Sequence, residues 1–348
     1  MTPATAPALL RPEGRTLRAD DRPCFADVRD AAARLAGHAH LTPLLRSRSL
    51  DALAGCELHF KAEHLQRAGA FKFRGAANAV FSLTPDQAAR GVVTQSSGNH
   101  GAAVALACRL RGIACTVVVP HGAPRIKRAA IAREGARIVD CEVAQSARDA
   151  ATARVLAETG GELVHPYNDA RVIAGQATAT LEMLQQAGHP ADGRPALDVV
   201  LAPLSGGGLM SGTAIAARGV DPRIRPLAAE PEGACDGHDS LKDGALIRGR
   251  RADTVCDGLR AELGPLTFAI LQDHRLEVLL VSDAEAVAAM RLLAERLKAL
   301  VEPSAAVPLA AVLKHRERFA GLRVGIVLSG GNVDLDALPD LFALAAPP

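Results

Sequence analysis

The chain has 348 residues, of which 49% are hydrophobic, enough to build a full core in one large domain or two smaller ones. Forty lysines and arginines against 38 acidic residues leave a formal charge of +2. That balance excludes a dedicated nucleic-acid groove or a basic membrane-surface patch and points to a small-molecule partner. Seven scattered cysteines, odd in number and without a CxxC pair, fit reduced thiols better than a disulfide frame or a zinc site, and so a cytoplasmic setting.

The opening MTPATAPALLRPEGRTLRADDRPC has no apolar core of signal-peptide length, and no later run approaches a membrane span. Residues 1–24 read as a flexible extension. From residue 57 onward, short β-rich runs alternate with alanine-rich helical stretches. The strands are ELHFKAE, VVTQS (92–96), CTVVVP (115–120), ARIVDC (136–141), ELVHP (162–166), LDVVLAP (197–203), RPLAAE (225–230) and RVGIVLS (323–329). This alternation predicts an α/β fold with mainly parallel sheets. Near-continuous apolar strands imply sheets covered on both faces, with ligands collecting at the carboxyl ends of the strands.

Four features stand where such a crevice would gather them. In AGAFKFRGAANAV (68–80), Lys72 lies between Phe71 and Phe73 at a predicted helix entry. It is either a surface lysine whose stem covers two rings or a desolvated amine able to attack carbonyls. SSGNHG (96–101) follows strand VVTQS and opens a helix, so its hydroxyls, amide and free N–H groups suit either a carboxylate or an ordinary N-cap. SGGGLMSG (205–212) follows LDVVLAP. Its glycines let backbone approach a phosphate or a packed helix, and it matches neither a Walker A loop nor GxGxxG. SGGNVD (329–334) puts Ser329 at a third strand terminus.

Taken together with LTPLLRSRSLD, KAEHLQRAGAFKFRGA, VIAGQAT, AAEPEGACD, DGLR and VEPSAAV, these motifs resemble the fold-type II pyridoxal-phosphate enzymes. The likeness is to the serine/threonine dehydratase, 3-hydroxyaspartate dehydratase and serine racemase group, from about Asp27 to Asp334. The resemblance implies a two-domain, tryptophan synthase β-like fold. Residues 91–168 would form the small domain, and 25–90 with 169–348 the large cofactor-binding domain. It implies that Lys72 carries pyridoxal 5'-phosphate as a Schiff base. Ser205, Gly206, Gly207, Gly208 and Leu209 would hold the phosphate and Asn99 the ring 3-oxygen. Phe71 and Gly258 would flank the ring, and Ser329 would face its nitrogen, a neutral partner that favours elimination over transamination. Ser96, Ser97, Asn99 and His100 would grip the substrate carboxylate. Ser97 matches the second proton donor of the racemases, and Arg148 the arginine that faces a substrate side-chain carboxylate.

The same resemblance assigns a divalent cation (Mg, Mn or Ca) to Glu230, the carbonyl of Ala234 and Asp236, an all-oxygen set. His38, His40, His121 and His165 lack metal-ligand spacing and read as structural or surface residues, and the remaining cysteines as small core fillers. Departures from the family pattern are Ala70, Ala177 in place of the second glycine of GQGT, and Ala261 after DGLR. The expected activity is that of an ammonia-lyase (dehydratase) on serine, threonine or 3-hydroxyaspartate. The alternatives are a serine racemase with dehydratase side activity and a catalytically idle relative. The expected partners are an amino-acid substrate and further copies of the chain, in a homodimer or higher homo-oligomer, with neither nucleic acid nor membrane.

Overall fold

A computed structural model describes residues 17–96, 98–123 and 125–345. The strands among them are β1 (Leu44–Leu45), β2 (Glu57–Lys61), β3 (Val92–Gln95), β4 (Cys115–Pro120), β5 (Arg137–Cys141), β6 (Glu162–Leu163), β7 (Val199–Pro203), β8 (Arg225–Pro231), β9 (Glu277–Val281) and β10 (Arg323–Val327). The helices before β7 are α1 (Phe25–Leu35), α2 (Arg48–Ala54), α3 (Lys72–Phe81), α4 (Pro85–Arg90), α5 (Asn99–Arg111), α6 (Arg125–Arg133), α7 (Gln145–Thr159) and α8 (Ala170–Ala187). After it come α9 (Gly208–Val220), α10 (Asp236–Asp243), α11 (Pro265–Asp273), α12 (Asp283–Leu292), α13 (Pro303–Lys314) and α14 (Leu338–Ala343).

Two sheets result. One has the order β1-β2-β10-β7-β8-β9, parallel except for the short β1, and the other the order β5-β4-β3-β6, parallel throughout. Every residue of β4 and β7 is buried, as expected of strands covered on both faces. In the larger sheet, α12 and α13 close one side with Phe60, Leu201 and Ile326, while Met183, Leu197, Val200 and Met210 fill the other. In the smaller sheet, α5 packs with α3 over Val117 and Val119, and α7 covers Val93 and Val118. Helix α3 therefore sits where the two sheets meet.

Local chemistry sets the helix starts. Thr84 with Gln87 and Ser282 with Glu285 form reciprocal capping boxes at α4 and α12. β7 leads outward through β8 to β9, whereas β2 and β10 lie on its other side. Strand order thus changes direction at the β10–β7 junction, the place where open α/β sheets hold ligands.

The eight strands read from the sequence are all present, most of them trimmed by one or two residues and ELVHP cut furthest, to Glu162–Leu163. β1 and β9 are additional. Residues 17–24 run beside α8, with the Ala19 carbonyl accepting a hydrogen bond from Ala170 N at 2.8 Å. Among the described residues no helix is long and apolar enough to cross a membrane.

Candidate active site

Lys72 is the first residue of α3, and the helix entry is fixed before the side chain leaves it. Phe71 N donates to the Ser329 carbonyl at 3.0 Å, and Ala70 bridges Gly330, so the end of β10 staples the start of α3. The lysine amine donates to the Pro166 carbonyl at 2.9 Å and lies 5.2 Å from the centre of the Phe71 ring. Burial lowers its pKa to about 8, opposed only in part by the negative charge of Glu302. The desolvated-amine reading of Lys72 is therefore the one the surroundings support, although Phe73 packs into the core rather than onto the amine.

Asn99 begins α5 and donates its side-chain amide to both Glu302 oxygens, at 3.1 and 3.2 Å. Its own carbonyl accepts from Asn332 Nδ2 at 3.0 Å, and the same Asn332 group donates to the Ala68 carbonyl at 2.8 Å. That bond supports Ala68 in a left-handed conformation (φ 58°), unusual for a residue with a side chain. Ser96 Oγ accepts from Gly98 N at 3.1 Å. His100 is buried, donates through Nε2 to the Val164 carbonyl and is held neutral, with a pKa well below the usual imidazole range through burial and the nearby Lys72 charge. Ser97 lies outside the described residues.

The glycine run opens α9 directly beyond β7. Gly207 has φ 90°, and Thr267 Oγ1 bonds the Gly206 carbonyl at 2.7 Å. A Cβ on Gly206 would strike the Tyr167 ring, and one on Gly208 would come within 2.9 Å of Tyr167 Cβ, so only glycine lets this loop lie so close. Ser205 Oγ donates to the Ala261 carbonyl at 3.1 Å and accepts from Ala261 N at 3.0 Å. Gly258 N donates to Ser304 Oγ at 3.0 Å, which ties the DGLR turn to the start of α13, two residues beyond Glu302. Ser329 is buried at the end of β10. A free helix N-terminus lined by glycine, an amine of lowered pKa and a buried neutral hydroxyl form a donor set that fits a phosphorylated pyridine aldehyde.

Residues whose part the sequence did not disclose are Glu302, Asn332, Pro166 and Tyr167. Burial, reinforced by Asp257, raises the Glu302 pKa to about 7. Its motif, VEPSAAV, was visible, but a carboxylate beside proline reads as solvated until the fold buries it. A cavity of about 420 Å³ lined by Gly69, Gly98, Asn99, Lys127 and Asn332 adjoins this cluster. Neither Lys72 nor the glycine run lines it, so it borders the lysine's cleft rather than containing it.

Two other sets predicted from the sequence have partners of their own. Arg148, on the first turn of α7, donates to the Val143 carbonyl at 3.0 Å, while its neighbour Asp149 accepts from Gln95 at the end of β3. Glu230, near the end of β8, accepts from Gly237 N and His238 N at 3.2 and 2.8 Å. Asp236 starts α10 and accepts from Leu263 N at 3.3 Å. Burial pushes both carboxyls up, Glu230 well above the usual range with help from the Asp236 charge, and Asp236 to about 6. No cluster of three or more histidine, cysteine or acidic side chains able to hold a metal occurs among the described residues. The set predicted from sequence has two carboxylates and one backbone carbonyl. His165 is buried with its pKa lowered to about 4, and His38 packs on Phe81. Cys56, Cys108, Cys115, Cys141 and Cys256 are buried fillers, whereas Cys24 is exposed and Cys235 half-buried.

The sequence matches the family described as pyridoxal-phosphate dependent enzyme over residues 35–330. The chain belongs to that family. It is 48% identical to the β-hydroxyaspartate dehydratase of Paracoccus denitrificans over 91% of this chain and 98% of that protein. It is 46% identical to a serine racemase of Arabidopsis thaliana over 90% and 95% of the two chains. The structure of maize serine racemase superposes with a TM-score of 0.87 at 43% identity, covering 92% of this chain and 97% of that one. The protein is thus a pyridoxal-phosphate-dependent, fold-type II enzyme.

Proposed function

We propose that this enzyme is an ammonia-lyase that converts a small β-hydroxy amino acid, 3-hydroxyaspartate, serine or threonine, to an α-keto acid and ammonia. The observation that carries the reading is the amine of Lys72, lowered to about 8 and set beside Phe71 at the mouth of the β10–β7 crevice. The 48% identity with a β-hydroxyaspartate dehydratase supports the substrate class.

Bound pyridoxal phosphate supplies an electron sink for the pair released when the substrate's α-C–H bond breaks. Lys72 holds the cofactor, and its neutral amine, freed by the incoming substrate, takes the α-proton. Its lowered pKa makes an unprotonated amine accessible near neutrality. The SSGNHG segment receives the substrate carboxylate at the start of α5, where the helix dipole favours an anion. Ser205 to Leu209 hold the cofactor phosphate by the same physics at α9. Asn99 would hold the ring oxygen, Phe71 and Gly258 would flank the ring, and buried Ser329 would offer the ring nitrogen a hydroxyl that does not force it to be protonated. In balance, the substrate loses its β-hydroxyl as water and then takes up water as ammonia leaves.

Racemisation is the second reading, favoured by Ser97 and by the likeness to serine racemases. Assaying keto-acid release and product chirality on serine, threonine and both 3-hydroxyaspartate diastereomers separates the two. Keto acid from none of them overturns the lyase reading.

Three subsidiary readings accompany it. Glu230, the Ala234 carbonyl and Asp236 bind a divalent cation, since two carboxyls raised by burial, Glu230 further by the Asp236 charge, gain from an intervening positive charge. The cation would brace the glycine run, because Asp236 bonds Leu263 and the adjoining Gly264 N reaches the Gly206 carbonyl at 3.4 Å. Arg148 turns toward the second carboxylate of 3-hydroxyaspartate. Residues 91–168 act as a small domain over the cleft, in a cytoplasmic homodimer or higher homo-oligomer.

A further inference from the structure

Behind Lys72 lies a cluster of charges that the reaction above does not use. Arg74, fully buried, donates from Nε and Nη2 to the two oxygens of buried Glu63 at 2.7 and 2.8 Å, and from Nη1 and Nη2 to the two oxygens of Glu182 at 2.7 Å each. It also donates to Thr178 Oγ1 at 3.2 Å and the His40 carbonyl at 3.3 Å. Lys61, fully buried, donates to Glu182 and the Thr42 carbonyl at 2.7 Å and to Gln186 at 2.9 Å, and Thr42 Oγ1 donates to Glu63 at 2.6 Å. Two cations and two anions balance.

The same helix pair is in close backbone contact. Gly75 N donates to Gln176 Oε1 at 3.1 Å. A Cβ on Gly75 would lie 2.7 Å from the Val172 carbonyl, and one on Gly175 would lie 2.6 Å from the Arg74 carbonyl. The RGA of the lysine motif and the AGQAT of α8 thus interlock at backbone distance.

A buried ion cluster is poor value as stability alone, since packed hydrophobic residues of the same volume often do as well or better. Its distinctive property is geometry, because a planar fork held bidentately on both edges has one orientation. We propose that Arg74, locked by Glu63 and Glu182, is a positioning residue for Lys72. It fixes α3 on α8 so that the lysine backbone stays still while its amine moves between cofactor and substrate. This rests on Lys72 being the reactive lysine.

The test uses Arg74→Lys, which keeps the charge and loses the fork, and Glu182→Gln, which keeps the shape and loses the anion. Both are loaded with pyridoxal phosphate and compared with the parent for kcat and KM per loaded site, melting temperature and the site of borohydride fixation. A misplaced lysine lowers kcat per loaded site by about tenfold to a hundredfold with KM changed less than about threefold, and the label stays on Lys72. If kcat per loaded site stays within about twofold of the parent while the melting temperature falls, the cluster is only structural and the proposal is overturned. Should Arg74→Lys not fold, Glu182→Gln is judged by the same criteria. A parent protein that takes its label elsewhere than Lys72 overturns the assignment of the reactive lysine itself, a separate result.

Discussion

Asn99 holds both oxygens of Glu302 with a single amide, yet Glu302 keeps a pKa near 7 because burial and Asp257 outweigh that bond. The native state thus binds a proton at Glu302 that the unfolded chain, titrating near 4.5, has already lost. The stability that protonation confers is full below pH 4.5 and is lost as pH rises through about 7. In Glu302→Gln this dependence disappears. The cofactor-free variant should gain stability over the parent across that window, by up to about 3 kcal/mol at pH 8, with no gain below pH 4.5. Denaturant titrations at several pH values measure it, and a constant difference rejects the assignment.

Lys72 gives the opposite sign. Its folded pKa of about 8 lies below the usual 10.5, so the unfolded chain binds more protons between those values and the cofactor-free protein gains stability as pH rises through them. Acylation of Lys72 in that form should have its midpoint near pH 8. With cofactor present, borohydride should bleach the near-visible absorbance and leave the reduced cofactor fixed on this residue. A midpoint at the value of a solvated lysine would falsify the desolvation argument.

For Glu230 and Asp236, exhaustive chelation should lower both melting temperature and activity, with Mg²⁺ or Mn²⁺ restoring them. Because an ion must displace protons from carboxyls held above their usual range, the thermal shift on adding Mg²⁺ should shrink as pH falls below about 6. Equal shifts in Glu230→Gln and the parent would place the ion elsewhere.

Ser97→Ala separates the two activities. Lys72 serves one face of the planar adduct, so inversion at the α-carbon needs a donor on the other. The variant should lose interconversion of serine enantiomers and elimination from D-substrates while retaining much of the elimination from L-substrates. Racemisation at the parent rate would assign the second donor to another residue.

Arg148→Ala should raise KM for 3-hydroxyaspartate about tenfold or more and leave serine and threonine nearly unchanged, as expected for loss of a bidentate charge pair. An equal rise for all three substrates removes Arg148 from substrate recognition and leaves it as a helix-start residue bonded to Val143.

Strands that end in a chemical motif were legible because a continuous apolar run and a glycine or serine turn mark both of their ends. β9 carries no such mark: its EVLLV is an edge strand paired only with β8, and no chemical motif follows it. β1 has two residues, too few to display a period. The lysine, the glycine run and Ser329 could be found because each needs a particular residue type at a strand or helix end. Glu302 and the Arg74 cluster could not, since a charge reveals burial and partners only after folding, and Arg74 meets Glu182 across 108 positions of sequence. Cys24 and Cys235 departed from the core-filler reading for a related reason, as exposure of a small apolar residue depends on neighbours that are distant in sequence.

The Tyr167 ring lies against Gly206, with its Cβ and backbone against Gly208, and meets His165 edge-on, with ring centres 4.6 Å apart. The chain contains one tyrosine and no tryptophan. With excitation at wavelengths that its eight phenylalanines do not absorb, its ultraviolet emission therefore comes from a single ring seated on the glycine run at the head of α9, an optical probe native to the protein. Any anion, ligand or substitution that moves that run changes the surroundings of the one fluorophore, so occupancy there can be followed without a label and without turnover.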